Sequence, residues 1–397
     1  MSLPVRSSIA FLSAERLVMN TAYRFVYPFL PAISRSLGVP LEQVGLLISA
    51  RHVAGLATPA ITRAVGRGEQ PRRLIVTGLL LFIVGSSVTV LWNSYVGALI
   101  GFALLGIAKP VFDVSSQSYI ADRVPYARRA RYLSVFEFTW AGALLIGAPL
   151  TGWLISRTNW TSPFWAFAIL TVAALVAVPR FIDHDGDLRE AVVVRPGFSR
   201  SAIAFLAVAG LFSLASEMIV VVFGAWLEDA FDLSIIALSG AAVLIGVSEL
   251  VGEGATFAIT DRIGKRRAVL IGLIVSTVGF GLLIPAQNQL GLGLMILAVA
   301  LFGFEFTIVS SIPLATELAP SSRARFLAWM VVTLSIGRGI GAAVGPTLFT
   351  TYGIPGPAVV ASVADLVAAV VLIAWVRDGH RQHRERVEDV EWKSHPA

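Results

Sequence analysis

The chain has 397 residues, of which 56% are hydrophobic and only 14% charged, with a mean hydropathy of +0.78. Charged residues run near 25% in soluble domains, so a soluble globule is excluded and a polytopic membrane protein is implied. The formal charge of +6 does not point to nucleic acid, because the basic residues fall in short loops between apolar segments, and the absence of cysteine excludes disulfides and Cys-ligated metals.

A helix crosses hydrocarbon with roughly 20 mainly apolar residues, since backbone polar groups there must be satisfied within the segment. About twelve segments fit that criterion. In the first part of the chain they run Ser8 to Ile33, Leu41 to Ala60, Arg73 to Trp92, Tyr95 to Ile120, Tyr132 to Ile155 and Ser162 to Val178. The others run Ser201 to Trp226, Ile235 to Ile259, Ala268 to Ile284, Leu290 to Ala315, Phe326 to Thr350 and Pro357 to Val376. The first is interrupted by Glu15 and Arg16, with no small-residue cleavage site behind it, so it is expected to be retained as a span.

Lys and Arg set the expected orientation. With a cytoplasmic N-terminus, one set of loops holds Arg63, Arg67, Arg72 and Arg73, then Arg123, Arg128, Arg129 and Arg131, then Arg180, Arg189, Arg195 and Arg200. The same side continues with Arg262, Lys265, Arg266 and Arg267, then Arg323 and Arg325, whereas the opposite loops hold only Arg35 and Arg157. Both termini are therefore expected in the cytoplasm, in the cell (inner) membrane.

An internal repeat then divides the chain. SSIAFL at Ser7 matches SAIAFL at Ser201, and RRLIVTGL at Arg72 matches RRAVLIGL at Arg266, both at an offset of 194; VSSQSYIADRVP at Val114 matches VSSIPLATELAP at Val309 at 195. Three matches in one register imply two similar halves in parallel arrangement about an axis normal to the membrane. The expected division is a six-helix half over 1–179, a charged cytoplasmic linker over 180–200, a second six-helix half over 201–376 and a polar tail over 377–397.

Two six-span halves, with a charged loop between the second and third spans that recurs between the eighth and ninth, resemble the major facilitator superfamily of secondary transporters. TDRIGKRRAVLIG, Thr260 to Gly272, is similar to that family's loop signature of Asp, Arg, any residue, Gly and two basic residues. The resemblance implies an all-α fold of twelve transmembrane helices in two pseudo-symmetric halves, working by alternating access. It also implies a cytoplasmic gate latched by Asp261, Arg262, Gly264, Lys265 and Arg266. The first-half equivalent departs from the signature, with Arg67 in place of Asp and Gln70 in place of Gly. GALLIGAPLTG, Gly142 to Gly152, resembles the pattern of the family's drug and proton antiporters, with Ala148 where a Gly is usual; plain small-residue helix packing accounts for it equally well.

A charge at the bilayer centre costs at least about 2.5 to 3.5 kcal/mol, so each should face protein or a water-filled cavity. Arg16, Asn20 and Arg24 follow an i, i+4, i+8 spacing and share one face of the first span, flanked by Tyr23 and Tyr27, with Pro28 and Pro31 bending its outer end. With Arg51, Lys109, Trp140 and Arg338 they are the candidate substrate-binding residues. The arginines have two readings: they hold an anionic substrate, or they pair with acids such as Asp113 and Glu137. Trp226, Phe304 and Phe306 are further candidate stacking surfaces.

Coupling to a proton gradient needs a buried carboxylate able to load and release a proton. Glu217, in LASEMIVV, leads because no basic residue is near it in sequence; Glu305 and Glu249 are comparable, and Asp113 and Glu137 complete the candidates. Asp113 lies one turn from Lys109 and can be neutralised by it. His52 beside Arg51 reads as structural. Because Arg16, Arg24, Arg51 and Lys109 lie in the first half and Glu217, Glu249, Glu253 and Glu305 in the second, anion recognition by one half and proton handling by the other is the expected division.

No catalytic or phosphate-binding motif is present, so an enzyme or a non-transporting receptor is disfavoured. The expected function is proton-coupled export of a small amphiphilic or drug-like compound, with proton-coupled uptake of an organic anion second, and a facilitator or lipid flippase third. The partners expected are a small-molecule substrate, protons and the lipid bilayer, with no nucleic acid, metal or cofactor, and the chain is expected to be a monomer.

Overall fold

The computed structural model describes residues 5–66, 71–183 and 197–377, and all regular structure among them is helical. The central part of the expected linker, the expected tail beyond Arg377, and the departures at Arg67 and Gln70 lie outside the described residues.

In chain order the first half comprises α1 (Val5–Arg24), α2 (Leu30–Leu37), α3 (Leu41–Gly55), α4 (Thr58–Gly66), α5 (Pro71–Leu91) and α6 (Tyr95–Arg123). It continues with α7 (Tyr126–Glu137), α8 (Thr139–Gly142), a π-helical turn (Ala143–Gly147), α9 (Ala148–Arg157) and α10 (Ser162–Phe181). The second half holds α11 (Arg200–Val220), α12 (Phe223–Phe231), α13 (Ile235–Ile263), α14 (Lys265–Ala286), α15 (Leu290–Leu318), α16 (Arg323–Tyr352) and α17 (Pro355–Trp375). The repeat read from sequence recurs in the helix lengths: α6 and α15 have 29 residues each, α5 and α14 have 21 and 22, and α10 and α17 have 20 and 21.

Among the described residues, ten helices are long and apolar enough to cross a membrane, or eleven if α3 and α4, which meet at 43°, form one broken span. The expected twelve is not reached on this measure. The shortfall is the first expected span, because α1 carries Arg6, Glu15, Arg16 and Arg24 and is not apolar enough to qualify. After Arg24 the chain leaves the helix through Phe25 to Phe29 and re-enters it at α2, which has Pro31 in its first turn. Proline is tolerated there because the amide it lacks would have been unsatisfied anyway.

Outward apolar side chains such as Ile169, Val176 and Trp375 remain 60% or more exposed, as hydrocarbon-facing helices require. The larger buried cluster crosses between the halves, joining residues such as Phe29, Ile48 and Leu144 to Val221, Ile245 and Ala342. A separate cluster, from Ala202 to Val376, belongs to the second half alone. The halves therefore share a core at one end of the molecule and part at the other.

At the shared end α3 packs on α16, and α13 packs on the π-helical turn and α9. Contact is close enough to exclude side chains: a Cβ on Gly45 would meet the Ala342 carbonyl oxygen at 2.5 Å, and one on Gly224 would meet the Pro28 carbonyl oxygen at 2.4 Å. Arg35 on α2 pairs with Glu228 on α12, and the Thr350 hydroxyl donates to Glu42 at 2.5 Å.

Candidate functional site

Where the halves part, they enclose a cavity of about 630 Å³. Its mouth, at the arginine-rich end, is lined by exposed Phe138, Phe257, Asp261 and Ile312; its depths hold Arg16, Lys109, Trp140, Glu253, Glu305 and Arg338. The first half contributes α1, α6, α7 and α8 to the wall, and the second contributes α13, α15 and α16.

The first-half wall is internally balanced. The Arg16 guanidinium donates to Asp113 at 3.1 Å, to Glu137 at 2.8 Å and to the Phe136 carbonyl at 2.6 Å, and it lies 4.3 Å from the centroid of the Phe136 ring. Lys109 also reaches Asp113, at 2.5 Å, so that carboxylate is shared by two cations. Gln117 donates to the other Glu137 oxygen at 2.9 Å. The α7–α8 break and the following π-helical turn are irregular backbone of the kind that recurs at functional sites. Beside them the Phe136 and Trp140 carbonyls accept from Arg16 and Arg24.

Just beyond the cavity floor, two polar bridges cross between the halves. Arg24 donates through both terminal nitrogens to the two oxygens of Glu249, each at 2.6 Å. Nearer the closed end the Tyr27 hydroxyl donates to Glu217 at 2.8 Å and receives a hydrogen bond from Arg51 at 3.0 Å, and the His52 ring nitrogen lies 3.6 Å from Glu217. Arg51 also donates to the Tyr23 carbonyl at 2.7 Å. A buried ion pair repays its desolvation only with good geometry and further hydrogen bonds. The bidentate Arg24–Glu249 pair, with the Trp140 carbonyl as a third acceptor and the Trp140 ring 4.4 Å from the guanidinium carbon, meets that condition.

The second-half wall is different. Glu253 and Glu305 are 7% and 5% exposed, line the cavity, and have no hydrogen-bond or ion-pair partner among the described residues. Half-buried Arg338 lies 5.6 Å from the Trp140 ring, with no carboxylate of the described residues within ion-pair distance. Among the described residues no cluster of three His, Asp or Glu side chains is placed to hold a metal ion.

The family model of the Major Facilitator Superfamily matches residues 16–252 and 205–395, nearly the whole chain. The chain belongs to the Major Facilitator Superfamily. It is a multi-pass membrane transporter. Over 368 residues it is 23% identical to the uncharacterized MFS-type transporter YwfA of Bacillus subtilis (strain 168), covering 88% of this chain and 86% of the relative. Over 321 residues it is 26% identical to the purine ribonucleoside efflux pump NepI of Salmonella enteritidis PT4, covering 77% and 78%. The D-xylose–proton symporter structure superposes with a TM-score of 0.77 at 14% identity, over 95% of this chain and 99% of that one. A bacterial homologue of the human lysosomal transporter Spinster, solved inward-facing and unoccupied, gives 0.70 at 14% identity, over 95% and 96%. At such identities the structural likeness speaks to the fold alone.

In this superfamily member the sequence candidates separate into two groups. Arg16, Lys109, Trp140, Arg338, Glu137 and Glu305 lie on the cavity wall, and Asp261 lies at its mouth. Asn20, Arg24, Arg51, Asp113, Glu217 and Glu249 do not line it. Asn20 donates to the Thr139 hydroxyl at 3.0 Å. Glu217, expected to stand without a basic neighbour, has His52 and Tyr27 against it from the other half. Of the first-half cations, Arg16 and Lys109 are paired within their own half and Arg24 with Glu249 of the other.

In the loop between α13 and α14 Gly264 takes a left-handed φ of 90°, Lys265 pairs with Glu317, and Arg266 donates to the Leu372 and Ile373 carbonyls at 3.2 and 2.9 Å. Asp261 and Arg262 are exposed. Trp226, Phe304 and Phe306 are buried away from the cavity, with the Trp226 indole donating to the Gln287 carbonyl at 3.1 Å.

Glu253, grouped in the sequence with the second-half acids but not singled out as a coupling candidate, lies on the cavity wall. Glu249, Glu253, Thr256 and Thr260 form a polar stripe at helical spacing on an otherwise apolar α13, and that stripe was the available signal.

Proposed function

We infer that this transporter exports a small amphiphilic compound in exchange for protons, by alternating access between two six-helix halves over 1–179 and 201–376. The observation that carries the reading is the pair Glu253 and Glu305, buried on the wall of a largely apolar cavity between the halves, with no partner there. An isolated ionised carboxylate in such a place is costly, and a proton is the simplest way to relieve that cost. Glu305 is the principal proton carrier. Glu253, grouped in the sequence with the second-half acids expected to handle protons, joins it.

Glu217, Glu249, Asp113 and Glu137 are partnered, so they serve as structural and gating groups before they serve as proton carriers. Lys109, Trp140, Arg16 and Arg338 form the substrate-facing wall, and Asp261 with Arg262, Gly264, Lys265 and Arg266 forms the latch at the mouth. The export direction draws support from the likeness to NepI, a purine ribonucleoside efflux pump. Positive charge at the cavity mouth supports a cytoplasmic opening with both termini on that side, and the chain acts as a monomer.

Proton-coupled uptake of an organic anion is the second reading, favoured by Arg338, which faces the cavity without a carboxylate partner. The test is transport by purified protein in proteoliposomes, with an imposed pH gradient and a panel of neutral, cationic and anionic aromatic compounds. Export predicts movement of a compound against the proton flux, abolished when the gradient is dissipated. Rates independent of the gradient for every compound moved would refute proton coupling.

A further inference from the structure

One buried acid of the second half lies away from the cavity. Asp365 is 1% exposed and stands at the centre of α17, about 15 Å along the axis from either end, whereas Val363, Leu366 and Val367 on the same helix face outward. Its one polar partner among the described residues is Ser276, at the centre of α14, and its Oδ1 has none. The helices packed against α17 are α11, α14 and α16. Their titratable residues are Arg200 and Glu217, then Lys265, Arg266 and Arg267, then Arg323, Arg325, Arg338 and Tyr352, and none of these forms an ion pair or hydrogen bond with Asp365.

A count of hydrogens decides which form the pair takes. Ser276 Oγ lies 2.5 Å from Asp365 Oδ2 and 3.2 Å from the Leu273 carbonyl oxygen, and a serine hydroxyl carries a single hydrogen. An ionised Asp365 would take that hydrogen and still keep a bare charged oxygen at the bilayer centre with no cation in reach, which is costly. A protonated Asp365 donates to Ser276, and Ser276 gives its own hydrogen to Leu273, so each hydrogen finds an acceptor. On its other side Ser276 is held by α15: a Cβ on Gly303 would lie 2.7 Å from the Ser276 amide nitrogen. Glu305, two residues further on, lies on the opposite face of α15, so the α14–α15 seam stands between the two acids, and Asp365 lines no part of the cavity.

We propose that Asp365 stays protonated through the transport cycle and acts as a hydrogen-bond donor that pins α17 to α14, outside the proton path. The first half holds a counterpart. Thr171, on α10, precedes Asp365 by the repeat offset of 194, and its hydroxyl oxygen lies 2.7 Å from Glu15 Oε1 on α1. Glu15 is 4% exposed, and Arg16 beside it turns away to Asp113 and Glu137. The last span of each half thus supplies one member of an acid–hydroxyl bond to another helix of the same half, the hydroxyl in the first and the acid in the second. Because each bond lies within a half, it holds while the halves move against each other.

The test is infrared spectroscopy of the purified full-length protein in detergent, grown with carbon-13-labelled aspartate so that glutamates do not contribute. A labelled carbonyl band of a protonated acid is expected, equal in size at about pH 6 and about pH 9, where an ordinary aspartate is ionised, and absent from Asp365→Asn. In proteoliposomes Asp365→Asn, whose amide can donate to Ser276 as the acid does, should keep the full dependence of flux on the pH gradient. Ser276→Ala takes away the acceptor and should lower the thermal midpoint by at least about 2 °C. A labelled band that is missing or fades as the pH rises, a band that Asp365→Asn leaves in place, gradient dependence lost in an Asp365→Asn protein that elutes normally on gel filtration, or a Ser276→Ala protein as stable as wild type would each overturn the proposal. The wild-type spectrum needs no variant to fold. None of these outcomes touches the export reading, which rests on Glu253 and Glu305.

Discussion

Arg24 and Glu249 meet across the two halves of the protein, 225 residues apart in sequence, with both guanidinium nitrogens 2.6 Å from the two carboxylate oxygens. Both side chains are 4% exposed, so neither charge has water to fall back on. An opening of the closed end that separates α1 from α13 must break this pair. Removing one partner leaves a buried charge, which costs about 3 to 5 kcal/mol, whereas removing both does not. Arg24→Gln and Glu249→Gln are expected to lower thermal stability in detergent sharply, and the double variant to recover much of it. Additive losses in a double-mutant cycle would mean the pair is not coupled.

The acids around Arg16 should not be equal. The Asp113 side chain is 14% exposed and shared by Arg16 and Lys109, whereas the Glu137 side chain is 47% exposed. Asp113→Asn leaves two cations short of a counter-charge and is expected to destabilise by several kcal/mol, against about 1 kcal/mol for Glu137→Gln. Comparing the two in thermal unfolding checks the order, and an equal loss would contradict it.

Arg35 and Glu228 close the end of the molecule opposite the cavity mouth. The chain has no cysteine, so a pair introduced as Arg35→Cys and Glu228→Cys is unique. Bridging them with a short bifunctional thiol reagent should stop transport, and a cleavable bridge should restore it on reduction. Continued transport by the bridged protein would show that the halves do not part there.

Gly224 is pressed against the Pro28 carbonyl. A Gly224→Ala side chain would have to displace backbone, and overpacking of that kind costs about 1 to 3 kcal/mol in the closed arrangement. The expected result is a longer distance between spin labels at positions 35 and 228 in a larger share of molecules. An unchanged distance distribution would mean the contact is not limiting.

Much of this architecture was legible in the sequence. Hydropathy and the repeat near 194 residues pointed to the helical halves, and the spacing of Arg16, Asn20 and Arg24 put all three on one face of α1, which the fold turns toward the α7–α8 break. Their partners were less accessible, because pairing depends on which helices meet. Asp113 and Glu137 could be named as candidate partners of an arginine, but the Arg24 match to Glu249 arises only from packing between the halves. The surroundings of Glu217 were hidden for the same reason, since its neighbours Tyr27 and His52 belong to the other half. Among the described residues the count of spans stops at eleven because the charges that give α1 its inward face also lower its hydropathy.

The central claim is that Glu305 carries the coupling proton. The most direct measurement compares wild type with Glu305→Gln in proteoliposomes, following export of one transported compound with and without an imposed pH gradient. Wild-type flux is predicted to rise with the gradient, while the residual flux of Glu305→Gln stays the same whether the gradient is present or dissipated. A Glu305→Gln protein that responds to the gradient as fully as wild type would contradict the account.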